Sequence, residues 1–270
     1  MRQDGDVQFR NLLLRLHQGL VIEEDWEILC QRDDVVNLTA SGAKFEKSLH
    51  LYPKHSNVFQ HNYMQLKKLK IAGQKIAVIE AEHAYGGKIA AEAASDSAGG
   101  LEKILALCIG ARVMLVYNLW VEQGLVNGSV GTVKNIIFQE NSRPPSLPLA
   151  VLIQFDNYNG PCLKENVVPI TPKTAHWMDK GKSCCRRQLP LTLCWATTIH
   201  KSQGLTLDKV VVQLGKKEFC AGMTYVALSR VRRLDDLCLF PVDFSRLQSI
   251  AKSKALQERK EEEKRLRSLF

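Results

Sequence analysis

Apolar residues near the start of the chain recur with the spacing of an amphipathic α-helix. Four of them share one helical face: Phe9, Leu12, Leu13 and Leu16. Gly19 follows as a stop signal, and a second short helix presents Trp26 and Leu29 on one face. The pattern therefore predicts two helices that pack against a core between residues 7 and 30.

The next segment changes from a helical to a strand-like pattern. Residues 57–70 predict an amphipathic helix, and the short apolar run at 75–82 predicts a strand. Residues 90–100 are small and rich in alanine, serine and glycine, which favours a surface excursion.

Short β-branched runs separated by turn residues begin after Gly110. Four such runs lie within about 60 residues, which predicts a small antiparallel barrel. After Leu189 the pattern becomes strand, polar turn, strand, helix and strand, and this alternation is typical of a parallel α/β sheet. The simplest architecture is an α/β domain that is split in sequence, with a β-barrel inserted between its halves.

The predicted limits follow from these changes of pattern. The first part of the α/β domain covers residues 1–107, the inserted barrel 108–188, and the second part 189–244. Residues 245–270 carry Glu to Lys/Arg spacings of three and four, which predict a solvated, charged C-terminal helix.

The charge distribution points to an acidic partner. The formal net charge is +9 over 270 residues, and much of the surplus lies in residues 173–187 and 246–267. Nucleic acid is therefore a better partner than a membrane surface. No apolar run approaches the roughly 20 residues that span a bilayer. No Cys-x-x-Cys pair occurs, so the cysteines are expected to be reduced and free of metal.

The stretch TIHKSQGLTLDKVVVQL, residues 198–214, places several hydrogen-bonding side chains at the mouth of a strand. A helical turn capped by a threonine and ended by Gly204 would leave four side chains at the carboxyl edge of the sheet: His200, Lys201, Ser202 and Gln203. Ligands bind open α/β sheets at that edge. A turn with free N–H groups, a lysine and a hydroxyl suits a phosphate. An ordinary solvated loop explains the same pattern equally well.

A second stretch, GMTYVALSRVRRLDDL, carries arginines beyond a helical stripe of Met223, Val226 and Ala227. Arg230 falls one turn after the stripe. It suits either an interaction with the helix dipole and last carbonyls or a contact with a phosphate outside the fold. The spacing alone does not decide between the two.

Both stretches closely resemble motifs V and VI of the Pif (petite integration frequency) family of superfamily 1 DNA helicases, which includes the helicase part of Helitron transposons. Three further segments are similar to that family: FRNLLLRLHQG with DWEIL, LYPKHSNVFQHNYMQLKKL and GARVMLVYNLWVEQGLVNGSVGTV. Together the similar segments cover most of residues 7 to 247.

The resemblance implies that the α/β part is the second RecA-like domain of the motor and that the insertion is a small barrel of the Src-homology-3 type. It assigns Arg230 as the arginine finger, a catalytic group that enters the nucleotide pocket on the first RecA-like domain. Gln203 and Gly204 would face the same cleft. Three residues would contact the DNA backbone: His200, Lys201 and Ser202. Arg230→Ala is expected to abolish ATP turnover in the complete enzyme and to spare most of the DNA affinity.

Two departures from the family pattern qualify this picture. No Gly-x-x-x-x-Gly-Lys-Ser/Thr phosphate loop occurs in the sequence, so ATP and Mg²⁺ are expected to be bound mainly by a first RecA-like domain that the chain does not contain. The sequence Lys54-His55-Ser56 stands where the family pattern leads us to expect Thr-Asn. The chain alone is expected not to hydrolyse ATP.

The sequence thus predicts the C-terminal motor half of an ATP-dependent 5′ to 3′ DNA helicase that acts on single-stranded DNA. The alternative is a non-catalytic, single-stranded-DNA-binding remnant of a helicase or transposon. No secretory signal is evident, and an intracellular location is expected, with the nucleus preferred and the mitochondrion as the alternative. Replication, repair, recombination, telomere maintenance and transposition are all compatible with such a motor.

Overall fold

The computed structural model describes residues 2–32, 44–163, 167–215, 222–240 and 243–268. These residues form two compact units. The first unit combines Met1–Gln60 with Ala196–Phe270, and the second is the continuous segment His61–Trp195.

The described helices and strands are as follows. The helices are α1 Val7–Gln18, α2 Glu23–Cys30, α3 His55–Ile71, α4 Gly87–Glu92, α5 Met223–Leu228, α6 Phe244–Ala251 and α7 Lys254–Arg267. The strands are β1 Leu49–Tyr52, β2 Ala77–Glu80, β3 Ile104–Leu107, β4 Arg112–Leu115, β5 Val130–Ile137, β6 Ala150–Phe155, β7 Val168–Ile170, β8 Lys173–Asp179, β9 Lys182–Gln188, β10 Leu191–Leu193, β11 Ala196–Thr198, β12 Val210–Gln213 and β13 Leu237–Phe240. No described helix has the length and apolar character needed to cross a bilayer.

The first unit is built on a parallel four-stranded sheet in the order β11-β1-β12-β13. This confirms the predicted α/β class with a parallel sheet. Helix α1 begins after Asp6, whose carboxylate accepts the Phe9 N–H at 3.0 Å, and it ends at Gly19, where φ is +68°. The four predicted apolar residues of α1 are all buried in the core of this unit: Phe9, Leu12, Leu13 and Leu16.

The second unit contains a five-stranded antiparallel sheet in the order β10-β4-β5-β6-β7. Four of its strands lie in the four predicted β-branched runs. The last of these runs is ENVVPI, residues 165–170, and its first two residues lie outside the described ranges. The assignment of residues 108–188 to a barrel of the Src-homology-3 type stays a prediction.

The second unit includes more residues than the predicted insertion, which covered residues 108–188. At its far end Leu191–Leu193 pairs antiparallel with Val113–Leu115, whereas Ala196–Thr198 pairs parallel with β1. The single strand predicted after residue 189 is therefore two strands in different sheets. At the near end the segment from residue 61 to residue 107 also groups with the second unit.

The predicted surface excursion at residues 90–100 is partly buried. Ala90, Ala98 and Leu101 have no exposed surface. The fully buried guanidinium of Arg186 donates to the carbonyls of Ala90, Ala93 and Leu101 at 2.8, 2.8 and 2.9 Å. The prediction of a surface excursion is wrong at Ala90 and Ala98, because composition does not reveal an arginine more than 90 residues away that binds the segment.

Adjacent glycines at the start of α4 provide a test of this packing. A Cβ added at Gly86 would lie 2.8 Å from Ala90 Cβ and 2.9 Å from Cys184, whereas one at Gly87 would have no neighbour within 4 Å. Both residues have positive φ. We expect Gly86→Ala to lower the free energy of unfolding by about 2 kcal/mol and Gly87→Ala by about 1 kcal/mol or less, because only the first adds a clash to the backbone strain.

Urea denaturation of both variants, followed by tryptophan fluorescence, checks this difference. Equal losses in the two variants would contradict the packing around Gly86.

Candidate functional site

The predicted site lies at the carboxyl edge of the parallel sheet. Tyr52 and Thr198 are the last paired residues of β1 and β11, and the Ile199 N–H continues the pairing by donating to the Tyr52 carbonyl at 3.0 Å. The segments that follow the two neighbouring strands therefore emerge side by side. One is the turn 199–204, and the other is the segment 53–57, which leads into α3.

Local hydrogen bonds shape the turn as the sequence predicts. The Thr198 hydroxyl accepts the Lys201 N–H at 3.3 Å, which makes Thr198 the capping residue. The Gln203 N–H donates to the His200 carbonyl at 3.1 Å. Gly204 adopts a φ of +89°, which an L-residue rarely adopts.

The four polar side chains of the turn do not all point outward. His200, Lys201 and Gln203 are exposed, as is Gly204. Ser202 has no exposed surface, and its hydroxyl donates to the Ile199 carbonyl at 2.7 Å. In this conformation Ser202 stabilises the turn, and a DNA contact by its side chain, which stays a prediction, requires the turn to rearrange.

Arg230 lies beneath this turn instead of reaching outward. Helix α5 ends at Leu228, and Arg230 is only 7% exposed. Its Nη1 donates to the carbonyls of Ser202 and Leu205 at 3.3 and 3.2 Å. Its Nε donates to the Val226 carbonyl at 2.6 Å, and its Nη2 donates to the Ser229 hydroxyl at 2.8 Å.

The burial of Arg230 bears directly on its predicted catalytic role. An arginine finger must reach a phosphate on another domain, and this guanidinium is occupied by partners in its own chain. Burial lowers the pKa of Arg230, and the nearby charge of Arg2 lowers it further. The guanidinium nevertheless stays charged because arginine is not deprotonated in proteins. The finger role stays a prediction, and it requires Arg230 to release part of this network.

Two residues at the start of the chain complete the site, and the sequence pattern did not indicate either. Arg2 donates from Nε to the Thr206 hydroxyl at 2.9 Å and from Nη1 to the Ser229 carbonyl at 2.7 Å. The amide of Gln3, which is 3% exposed, donates to the Ser229 and Val231 carbonyls at 3.2 and 2.7 Å. These bonds span more than 200 residues, so no local pattern could have revealed them.

Exposed basic residues extend the site to the neighbouring strand. Lys54, His55 and Ser56, which replace the expected Thr-Asn sequence, are exposed after β1. Together with His200 and Lys201 they place basic side chains on the two adjacent segments that follow β1 and β11 at one sheet edge, one of which includes the start of α3. Such an arrangement suits the phosphates of a nucleic-acid backbone.

The sequence contains no phosphate loop. Within the described ranges, no cluster of three or more His, Cys, Asp or Glu side chains could hold a metal ion. Binding of ATP and Mg²⁺ mainly by a first RecA-like domain stays a prediction.

Comparisons with known proteins agree with the motifs. The family model for the DNA helicase Pif1, 2B domain, matches residues 96–136. The human ATP-dependent DNA helicase PIF1 is 41% identical over 143 residues, which are 53% of this chain and 20% of the human protein. The chain thus spans about a fifth of the length of the curated relatives it matches.

Solved structures of Pif1 helicases share the fold. The crystal structure of Pif1 helicase from Candida albicans superposes with a TM-score of 0.73 over 100% of this chain and 60% of that chain, at 24% identity. Bacteroides Pif1 in complex with ADP-AlF3 and ssDNA gives a TM-score of 0.65 over 98% of this chain and 55% of that one, at 23% identity. The predicted resemblance to Pif-type helicases is confirmed.

Proposed function

We propose that this relative of the Pif-type DNA helicases supplies the second half of an ATP-dependent motor that moves 5′ to 3′ on single-stranded DNA and unwinds duplexes. The polarity is carried over from the family resemblance. ATP and Mg²⁺ are held mainly by a first RecA-like domain, which is the partner of this half. Single-stranded DNA is held by the carboxyl edge of the parallel sheet.

The observation that carries the proposal is that His200 and Lys201 are exposed on the turn at residues 200–204, beside the exposed Lys54 and His55, with Arg230 beneath the turn. Lysine and histidine side chains on two neighbouring loops contact phosphates without reading bases. Binding of this kind is independent of sequence and strongly dependent on salt. The ssDNA in the Bacteroides Pif1 complex supports the choice of ligand.

Removing the charge of Lys201 tests the DNA-binding surface. We expect the isolated chain to bind a fluorescent oligothymidine, and we expect Lys201→Ala to weaken binding and reduce the slope of log K against log salt by about 0.7, the value for one phosphate contact on a single strand. Fluorescence anisotropy across a salt series measures both quantities.

Lys209 provides a matched control. It immediately precedes β12 and therefore lies at the amino edge of the same parallel sheet, opposite the turn. Lys209→Ala removes the same charge and should leave the slope unchanged. Equal effects of the two substitutions would show that only the overall positive charge attracts DNA and would contradict the proposed surface.

A single-stranded-DNA-binding remnant without a motor cycle is the second candidate. Two observations favour it: the chain contains no phosphate loop, and Arg230 is bonded to its own chain. Such a remnant would bind DNA in the anisotropy assay but would not restore ATP turnover to any first RecA-like domain.

A further inference from the structure

The guanidinium of Arg230 connects the end of α5 to the turn that carries the basic side chains. It donates to the Ser202 and Leu205 carbonyls, which lie on either side of Gly204, the point where the backbone reverses. Its own carbonyl accepts the Leu207 N–H at 2.9 Å. Arg230 therefore contacts the second half of the turn and the residues just after it, through its side chain and through its backbone.

We propose that Arg230 is a positioning residue for the DNA-facing turn, and that any phosphate that recruits its guanidinium loosens that turn. The inference rests on the proposed function for the identity of the turn's ligand. The positioning itself depends only on contacts within the first unit.

The number of N–H donors explains why Arg230 cannot hold the turn fully and bind a phosphate at the same time. A guanidinium has five N–H donors, and the bonds to Ser202, Leu205, Val226 and Ser229 use four of them. A bidentate contact with a phosphate needs two parallel N–H groups. Arg230 must therefore give up at least one internal bond to bind a phosphate in this way.

Loss of the bonds from Arg230 would leave carbonyls of the turn with fewer donors. Without the guanidinium, the carbonyl of the fully buried Ser202 would keep the Leu205 N–H as a donor at 3.0 Å, whereas the Leu205 carbonyl would lose the bond that it accepts from Arg230 at 3.2 Å. A carbonyl that loses its donor inside the fold is costly. The turn would then move to expose its carbonyls, and this movement would shift the exposed His200 and Lys201 side chains. A nucleotide phosphate that binds Arg230 would in this way change the affinity for DNA, although the nucleotide does not contact the DNA-binding side chains.

This geometry changes the expectation drawn from the family resemblance. Arg230→Ala was expected to spare most of the DNA affinity. Because the guanidinium holds the turn, we now expect the substitution to weaken DNA binding as well.

Hydrogen exchange on the 270-residue chain tests the positioning role without DNA or nucleotide. We expect Arg230→Ala to accelerate exchange of the backbone amides of residues 202–207 by about tenfold or more, because their opening no longer breaks the bonds to the guanidinium. Arg230→Lys keeps the charge but has no planar fork, so we expect a smaller acceleration confined to the same amides.

Arg246 provides the control for the loss of any buried arginine. It is 2% exposed and donates to the Leu214 and Gly215 carbonyls at 2.6 and 2.8 Å, in the same unit but away from the turn. Arg246→Ala should leave exchange at residues 202–207 unchanged. Equal acceleration there in Arg246→Ala and Arg230→Ala, or no acceleration in either Arg230 variant, would overturn the inference.

DNA binding by Arg230→Lys separates positioning from direct contact. If Arg230 acts by holding Lys201 in place, Arg230→Lys should lower oligothymidine affinity in the otherwise unaltered chain and should lower it much less in the Lys201→Ala variant, which has already lost that phosphate contact. Equal losses in the two backgrounds would mean that residue 230 acts independently of Lys201 and would contradict the positioning role. Failure of the unaltered chain to bind DNA would count against the proposed function, whereas the exchange result would decide the positioning role independently.

Discussion

Fusing a P-loop domain from a Pif1 relative ahead of residue 1 is expected to create DNA-stimulated ATP turnover, and Arg230→Ala is then expected to lower it by about 10³- to 10⁵-fold, the range found for arginine fingers. The physical reason is that charge develops on the γ-phosphate during transfer, and a guanidinium placed there stabilises it. The chain alone should show no turnover above background.

A coupled assay of phosphate release measures these rates with and without oligothymidine. Arg232→Ala is the matched control, because Arg232 lies two residues further along the chain and is exposed. We expect it to change turnover by no more than a few-fold. Turnover by the chain alone, or a fusion that hydrolyses ATP equally well with Arg230→Ala, would contradict the two-domain mechanism.

The buried position of Arg230 makes this experiment informative about conformation. If the finger role holds, the fusion must draw the guanidinium away from Ser202 and Leu205 when nucleotide is bound. Comparing hydrogen exchange at the turn with and without a nonhydrolysable ATP analogue in the fusion would reveal that movement. The unfused chain should show no such response because it lacks the phosphate cradle.

Local patterns predicted much of the fold. The buried face of α1 and its end at Gly19 follow from 3.6-residue periodicity and from the positive φ that glycine tolerates. Strands β12 and β13 correspond to the second and third strands that the pattern predicts after Leu189. These features depend on neighbours in sequence, so the sequence was sufficient to identify them.

Features that depend on distant partners were missed. The burial of Ser202 and Arg230 results from bonds between segments 28 residues apart, and Arg2 reaches Ser229 across 227 residues. The break between β10 and β11 follows from pairing with two different sheets. Periodicity predicts which face of an element is apolar, but it does not predict which carbonyl will accept a hydrogen bond from a distant polar side chain.

An ion pair in the first unit, between the partly exposed Arg15 and the buried Asp25, leads to the second large prediction. Asp25 has no exposed surface, and its carboxylate accepts from Arg15 Nε at 2.8 Å and from Arg15 Nη2 at 2.5 Å. It also accepts the Ile22 N–H at 3.2 Å, at the start of α2. The hydrogen bond that Arg15 donates to Asp25 raises the pKa of Arg15.

Replacing Arg15 by methionine should destabilise the chain strongly. Arg15→Met leaves a buried carboxylate with only one backbone donor, and breaking a buried pair in this way costs about 3 to 5 kcal/mol. The Arg15 side chain is 34% exposed, so water can reach the site, and we expect a loss of about 3 kcal/mol. Urea denaturation followed by circular dichroism measures the change.

The double variant Arg15→Met/Asp25→Asn distinguishes loss of packing from the cost of an unpaired charge. Asparagine is neutral and keeps an oxygen that can accept the Ile22 N–H, so the double variant should recover more than half of the loss. Lys254→Met is the control for loss of an exposed pair: its Glu258 partner lies one helical turn away with both side chains mostly exposed, and we expect a loss of less than about 0.5 kcal/mol. If the double variant were no more stable than Arg15→Met, the loss would come from packing of the arginine stem, and the buried charge of Asp25 would not be its cause.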